Sequence, residues 1–255
     1  MGIAFAQIDS WLIAIAFDVL MIAGWLAGWW IGRRSRIRED KARAFRAHEA
    51  NLALLALLIA FTFSMSYAKR EQTRATVVSD SNAIGEFYTC AGLIKEPVRA
   101  GLRSAIRQYT ELHIGMSGHW RDKADLEQML SQIQQLQEKM VDFVAEAVDG
   151  GTLIAVPLTN TLNEVISMSS SRIAAIENRL HPAVVIVLFM AGLFTMMLVG
   201  REQGFEGKIE FVGSLGSMLL ITLIVYLILA MNQPSRGLLA VSQEPLQRLL
   251  SAMGK

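Results

Sequence analysis

Four long apolar blocks set the terms for this chain: Trp11 to Ile31, Ala50 to Ala68, Pro182 to Gly200 and Phe211 to Met231. The first holds one acid, Asp18, and the other three hold no charge. A helix needs about 20 apolar residues to cross roughly 30 Å of hydrocarbon, and every block meets that length. Lipid offers no partner to open backbone groups, so helices are the expected form and the lipid bilayer is the first expected partner. Trp11 stands at one end of the first block, with Trp25, Trp29 and Trp30 toward the other. Trp11 to Trp30 is about 29 Å of helical rise, which suits two interfacial aromatic belts. No Lys or Arg precedes Trp11, so the block lacks the basic start of a cleaved signal and reads as a retained span.

Charge is scarce elsewhere too. Asp, Glu, Lys and Arg make up 18% of the chain, against roughly 25% in soluble proteins. Twenty-four Lys and Arg against 23 Asp and Glu leave a net charge of +1. That balance excludes a strongly basic nucleic-acid binder and a charge-rich disordered chain. The single cysteine, Cys90, excludes an intrachain disulfide and a multi-cysteine metal site.

The loop Gly32–Glu49 carries Arg33, Arg34, Arg36, Arg38, Lys41, Arg43 and Arg46, while the first ten residues carry no base. The positive-inside rule places that loop in the cytoplasm. Residues 69–181 and both termini then lie on the non-cytoplasmic side. Lys69, Arg70, Arg74, Arg172 and Arg179 flank spans on the opposite side and pull against this assignment. The loop is also a candidate surface for anionic lipid head groups.

Between the second and third spans, residues 69–181 have almost no strand signal. From Leu126, the residues Met129, Ile133, Leu136, Met140, Phe143 and Ala147 recur at spacings of three and four, a coiled-coil-like seam that Gly150–Gly151 ends. Leu158, Leu162, Val165, Ser169, Ile173, Ile176 and Leu180 continue the pattern to Pro182, where His181–Pro182 marks a helix start or a kink. No Gly or Pro occurs from Asn51 to Asn82, so the second span continues as one helix to about Ile94, and Glu96–Pro97 suits a new start. The expected fold is all-α. Four transmembrane helices carry an extramembrane helical bundle between the second and third. The divisions are 1–68, 69–181, 182–231 and a tail, 232–255.

Several residues stand out chemically. Asp18 is an acid within a span, so it faces protein or water, as an ion or proton site or as an interfacial residue. Gly24, Gly28 and Gly32 form overlapping G-x-x-x-G motifs that let helix backbones approach closely, and Gly213, Gly216 and Ser217 give span four a similar surface. Asn51, Thr62, Ser66, Lys69 and Thr73 share one helical face. In an oligomer that face is a candidate pore lining; otherwise it bonds to neighbouring helices or to carbonyls one turn back. Phe61 and Phe63 are a candidate hydrophobic constriction or a lipid-facing pair. His113 and His119 stand six apart near Glu111 and Asp122, with Gly115 and Gly118 between them. Helical metal ligands usually recur at three or four, so this pair reads as loop surface and no metal site is expected. No G-x-S-x-G, P-loop, H-E-x-x-H or dinucleotide fingerprint is present, so neither an enzyme nor a cofactor is expected.

Two stretches resemble the bestrophin-like family of four-pass bacterial membrane proteins. One is Phe61-Thr62-Phe63-Ser64-Met65, then Asn82-Ala83-Ile84-Gly85, Glu96-Pro97, Arg99, Leu102-Arg103 and Tyr109. The other is Leu162-Asn163, Arg172, Pro182, Asn232-Gln233-Pro234, Gly237, Val241-Ser242 and Pro245-Leu246. The resemblance covers about residues 48–250. It implies a homo-oligomeric channel for small inorganic ions, selective for anions by analogy with the pentameric bestrophins, in a bacterial inner membrane. It also implies that the segment after span two is cytoplasmic, the reverse of what the basic loop predicts. No bestrophin pore residue carries over by motif. The contrasting expectation is a membrane-anchored helical sensor or scaffold without transport activity.

Overall fold

The computed structural model describes residues 10–34, 41–115, 123–177, 181–207, 209–232 and 240–254. Eight helices account for nearly all of them: α1 (Ser10–Arg34), α2 (Lys41–Ala91), α3 (Val98–Gly115), α4 (Lys123–Asp149), α5 (Ala155–Glu177), α6 (Pro182–Glu206), α7 (Phe211–Met231) and α8 (Glu244–Met253). There is no strand among the described residues. The fold is all-α, and α1, α2, α6 and α7 each contain a stretch long and apolar enough to cross a bilayer. This is a membrane protein. The chain divides into two compact units, Met1–Ala68 with Arg179–Gln233, and Lys69–Asn178 with Pro234–Lys255.

The first unit is apolar inside and out. Phe17, Met21, Leu55, Ile59, Leu188, Met196, Met218, Val225 and Ile228 form its core. Leu57, Phe61, Met190, Phe194, Leu219 and Leu220 are equally apolar and exposed. In water such a surface would aggregate; in lipid it is the solvated face. Hydrophobic burial therefore does little to hold these helices together, and close packing must do it. The contact between α1 and α6 supplies that packing. A Cβ on Gly28 would lie 2.0 Å from the Met197 carbonyl oxygen, one on Gly32 2.2 Å from that of Arg201, and one on Gly24 2.6 Å from Leu193 Cδ1. The relation is mutual: a Cβ on Gly200 would lie 2.0 Å from the Trp25 carbonyl oxygen, and one on Gly204 2.3 Å from that of Trp29. The two backbones touch. The glycine stripe of α1 thus runs beside Gly200 and Gly204 on α6, and Gly192 of α6 takes the Phe17 ring. The stripe on α7 is different: Gly213 comes no closer to other atoms than 3.9 Å and Gly216 meets nothing within 4 Å. Neither glycine makes a close helix approach among the described residues.

Local chemistry sets the helix ends. Pro182 opens α6, and the Ala183 N–H donates to Nδ1 of His181 at 3.3 Å, so His181–Pro182 is a capped start. Gly207 closes it at φ 68°, a left-handed cap that glycine adopts without strain. In the second unit Gly151, at φ 73°, ends the α4 turn, and the Thr152 N–H returns to the Ala147 carbonyl at 3.2 Å. Helix α2 ends at Ala91, and Glu96 caps α3 by accepting from the Ala100 N–H at 3.1 Å. His119, Trp120, Arg179, Leu180, Arg36, Arg38 and Gly237, with the side chains of Leu126, Ile176, Lys41, Arg43 and Arg46, lie outside the described residues.

The second unit packs like a soluble domain. Val77, Ile84, Phe87, Leu102, Ile106, Met140, Leu158, Leu162 and Val165 fill its core. Leu246 and Met253 of α8 are buried in the same core, and the Tyr88 hydroxyl donates to the Met253 carbonyl at 3.2 Å. The tail helix is therefore part of this unit.

Candidate functional site

The core of the second unit contains charge. Its helices bury apolar residues at alternating spacings of three and four, and three of those seams are interrupted by polar side chains. Helix α2 runs Val77, Asp80, Ile84, Phe87, Ala91; α3 runs Leu102, Ile106, Tyr109, His113; α5 runs Leu158, Leu162, Val165, Ser169, Arg172. All are buried. Asp80 and His113 are 0% exposed and Arg172 2%.

The three charged or titratable groups converge. Arg172 Nη1 donates to Asp80 Oδ2 at 2.7 Å. Its Nη2 donates both to the His113 carbonyl at 2.8 Å and to Gln243 Oε1 at 2.7 Å. His113 Nδ1 lies 2.9 Å from the same Asp80 oxygen. A carboxylate oxygen accepts, so that bond requires the proton on Nδ1 and leaves Nε2 as a lone pair. The Tyr109 ring packs on His113 with centroids 4.1 Å apart, and its hydroxyl bonds to Ser169 and receives Gln137 Nε2 at 3.4 Å. Carboxylate and guanidinium cancel, so the cluster is neutral while His113 is neutral.

At Asp80 burial is outweighed by the bond to His113 and the Arg172 charge, which hold the carboxyl below its usual value, and at His113 and Tyr109 burial wins. It lowers the His113 pKa below the usual 6.5, with Arg172 acting in the same direction, and outweighs the opposing pull of Asp80. Burial also pushes the Tyr109 hydroxyl up to about 12. Asp80 Oδ1, His113 Nε2 and Arg172 Nε are buried without a hydrogen-bond partner among the described residues. An uncompensated charge here would be expensive: removing one member of a buried ion pair costs about 3–5 kcal/mol. Asp80 orienting the ring of His113 is the arrangement of a general-base pair, but Nε2 is sealed from solvent and has no hydrogen-bond partner among the described residues. Among the described residues no group of His, Cys, Asp and Glu could hold a metal ion.

This corrects the expectation for His113, which lies in the core of a helix instead of on a loop surface. Helix α3 runs through to Gly115, and Asp80 gives the ring a buried partner. Sequence reading missed Asp80 and Gln243 as well. The signal was present in the seams: each polar residue occupies a position that periodicity reserves for the core.

The residues proposed on span two have mixed placements. Thr62 and Ser66 are buried within the first unit, and Asn51 and Lys69 are half-buried. The Thr62 hydroxyl donates to the Leu58 carbonyl at 2.7 Å, and Asn51 Nδ2 to Thr195 Oγ1 at 3.4 Å. Ser66 Oγ has no partner among the described residues. Thr73 donates to the Lys69 carbonyl. Phe61 and Phe63 are exposed, at 68% and 39%. Asp18 Oδ1 accepts from the Thr222 hydroxyl at 2.8 Å, which joins α1 to α7 and satisfies the intramembrane acid. Cys90 is half-buried beside the second core.

A family model described as the Bestrophin-like domain matches residues 50–246. The chain matches no curated protein and no solved structure.

Proposed function

Since the chain belongs to the bestrophin-like family, we propose that it is a membrane channel for small inorganic ions, assembled from several copies and selective for anions by analogy with the bestrophins. The observation that carries this reading is Ser66. Its hydroxyl is buried in an apolar helical unit, one turn from Thr62 and on the same face as Asn51, and it has no partner among the described residues. A polar atom left unpaired in such a unit is costly unless water or a hydrated ion reaches it. The ion path follows that inner face of α2, and the exposed Phe61 and Phe63 meet lipid or a neighbouring copy.

The cell membrane is a bacterial inner membrane. Residues 69–181 and both termini lie on its non-cytoplasmic side, as the basic loop after α1 requires. The protein carries out no catalysis and binds no nucleic acid. Purified protein reconstituted into liposomes tests the reading: chloride efflux occurs, Ser66→Leu reduces it at least tenfold, and the mass in detergent is several times that of one chain. A monomer, or flux that Ser66→Leu leaves unchanged, refutes the proposed path. A reporter fused after Lys255 decides the orientation.

A second reading, a membrane-anchored sensor or scaffold, draws on the charged cluster buried in the second unit, which a simple pore does not need. Protein that forms folded particles without ion flux favours it.

A further inference from the structure

The Asp80–His113–Arg172 cluster is sealed and neutral, and at one corner it grips the segment leading into α8. That corner is a single atom. Arg172 Nη2 donates to the His113 carbonyl and to Gln243 Oε1, 2.8 and 2.7 Å away. Gln243 immediately precedes α8, whose Leu246 and Met253 complete the core. We propose that this is a proton-operated clasp: protonation of His113 breaks the Arg172–Gln243 bond and frees residues 240–254 from the second unit.

The argument rests on what surrounds the ring and does not depend on channel activity. Helix α2 presents Asp80 and α5 presents Arg172; its own helix presents the Tyr109 ring. Among the described residues helix α4 meets the Tyr109 hydroxyl with neutral Gln137, and the segment before α8 offers the neutral amide of Gln243. With Nδ1–H already given to Asp80, an added proton must go to Nε2. That atom is buried and has no acceptor among the described residues. The new imidazolium would also lie against a guanidinium, since Arg172 Nη1 is 3.4 Å from Nδ1. A neutral buried cluster would become a cationic one with one carboxylate for two cations, which a low-dielectric site does not tolerate. Relief comes when the guanidinium moves away from the imidazolium toward water, and that motion carries Nη2 away from one of its two acceptors. Gln243 is the acceptor on the weaker element, because it precedes a helix of only ten residues, whereas His113 belongs to the eighteen-residue α3 and its ring is held by Asp80.

Amide hydrogen exchange of the full-length protein in lipid nanodiscs, corrected for intrinsic pH dependence, tests the clasp. Protection of residues 240–254 should fall at least tenfold from pH 7.5 to pH 5.0, while residues 132–148 of α4 change less than twofold. In His113→Gln, which keeps a side chain able to donate to Asp80 but cannot titrate, tail protection should be the same at both pH values. In Gln243→Ala, at the rim of the cluster, the tail should be open at both, and this variant decides the matter if His113→Gln does not fold. A tail equally protected at both pH values in the unmodified protein overturns the proposal. So does a pH-dependent loss that persists in His113→Gln, or a Gln243→Ala tail that stays closed at neutral pH.

Discussion

The two units solve opposite problems with the same element. In the first, apolar side chains lie on both sides of the helices, so burial distinguishes little and shape decides. Some of its hydroxyls turn back to their own helices, Thr62 to Leu58 and Thr195 to Ala191. Its tightest contact involves no side chain at all on either glycine face of α1 and α6. In the second unit apolar burial forms the core in the ordinary way, and the informative residues are the polar ones within it. Helices in lipid are specified by what is missing, and helices in water by what is out of place.

The most direct way to break this contrast is to leave a charge unpaired. Arg172→Ala strands Asp80 in the second core and should cost about 3–5 kcal/mol, measured as loss of protection across α2, α3 and α5. Replacing both partners, Asp80→Leu with Arg172→Met, should restore much of that loss, because a buried ion pair is weak evidence of net stability. If the double variant is as unstable as the single one, the cluster does more than balance its own charge.

Gly28→Val attacks the other unit. The added Cβ would meet the Met197 carbonyl at 2.0 Å, so α1 and α6 must separate, at about 1–3 kcal/mol. Thermal unfolding in detergent should register this, and the same change at Gly216, which meets nothing, should not.

The titrations sharpen the comparison further. His113 has a folded pKa below 6.5, so the unfolded chain takes up the proton more readily. Its contribution to stability is complete above pH 6.5 and is lost as pH falls through the lowered value. Tyr109 behaves in the opposite sense: with a folded value of about 12 against 10.0, its contribution is complete below pH 10 and is lost as pH rises toward 12. Unfolding followed against pH should show both slopes in the unmodified protein, and His113→Gln should remove only the acidic one. The smallest effect belongs to Phe61→Leu, on an exposed apolar face, which should change stability by less than about 0.5 kcal/mol.

Much of the architecture was legible because length and hydrophobicity are summed over many residues. The four spans, the break at Gly150–Gly151 and the start after Glu96–Pro97 all follow from such sums or from glycine and proline, whose backbone preferences are strong. The glycine stripe of α1 was legible too, but its partner was not. Nothing in the α1 motif distinguishes Gly200 and Gly204 on α6 from Gly213 and Gly216 on α7, since selection of a neighbour depends on three-dimensional placement. The buried cluster was hidden for a related reason. Asp80, His113 and Arg172 lie on three separate helices, and each alone looks like a residue that has slipped to the surface. In α5 the apolar spacing leads from Ser169 to Ile173, one position beyond Arg172. A shift of one residue on a helix is about 100° and exchanges inside for outside.

The meeting of α1 and α6 has a consequence for biosynthesis. Trp25 Nε1 bonds to Gln203 Oε1 across 178 positions of sequence. At ribosomal rates, roughly 10–35 s pass between the emergence of the two residues. During that interval α1 has its notched flank open, and the intervening polypeptide is made before the matching helix exists. An insertion chaperone or the translocon's own walls would have to occupy that flank, and a cell lacking such a stand-in should degrade the nascent product.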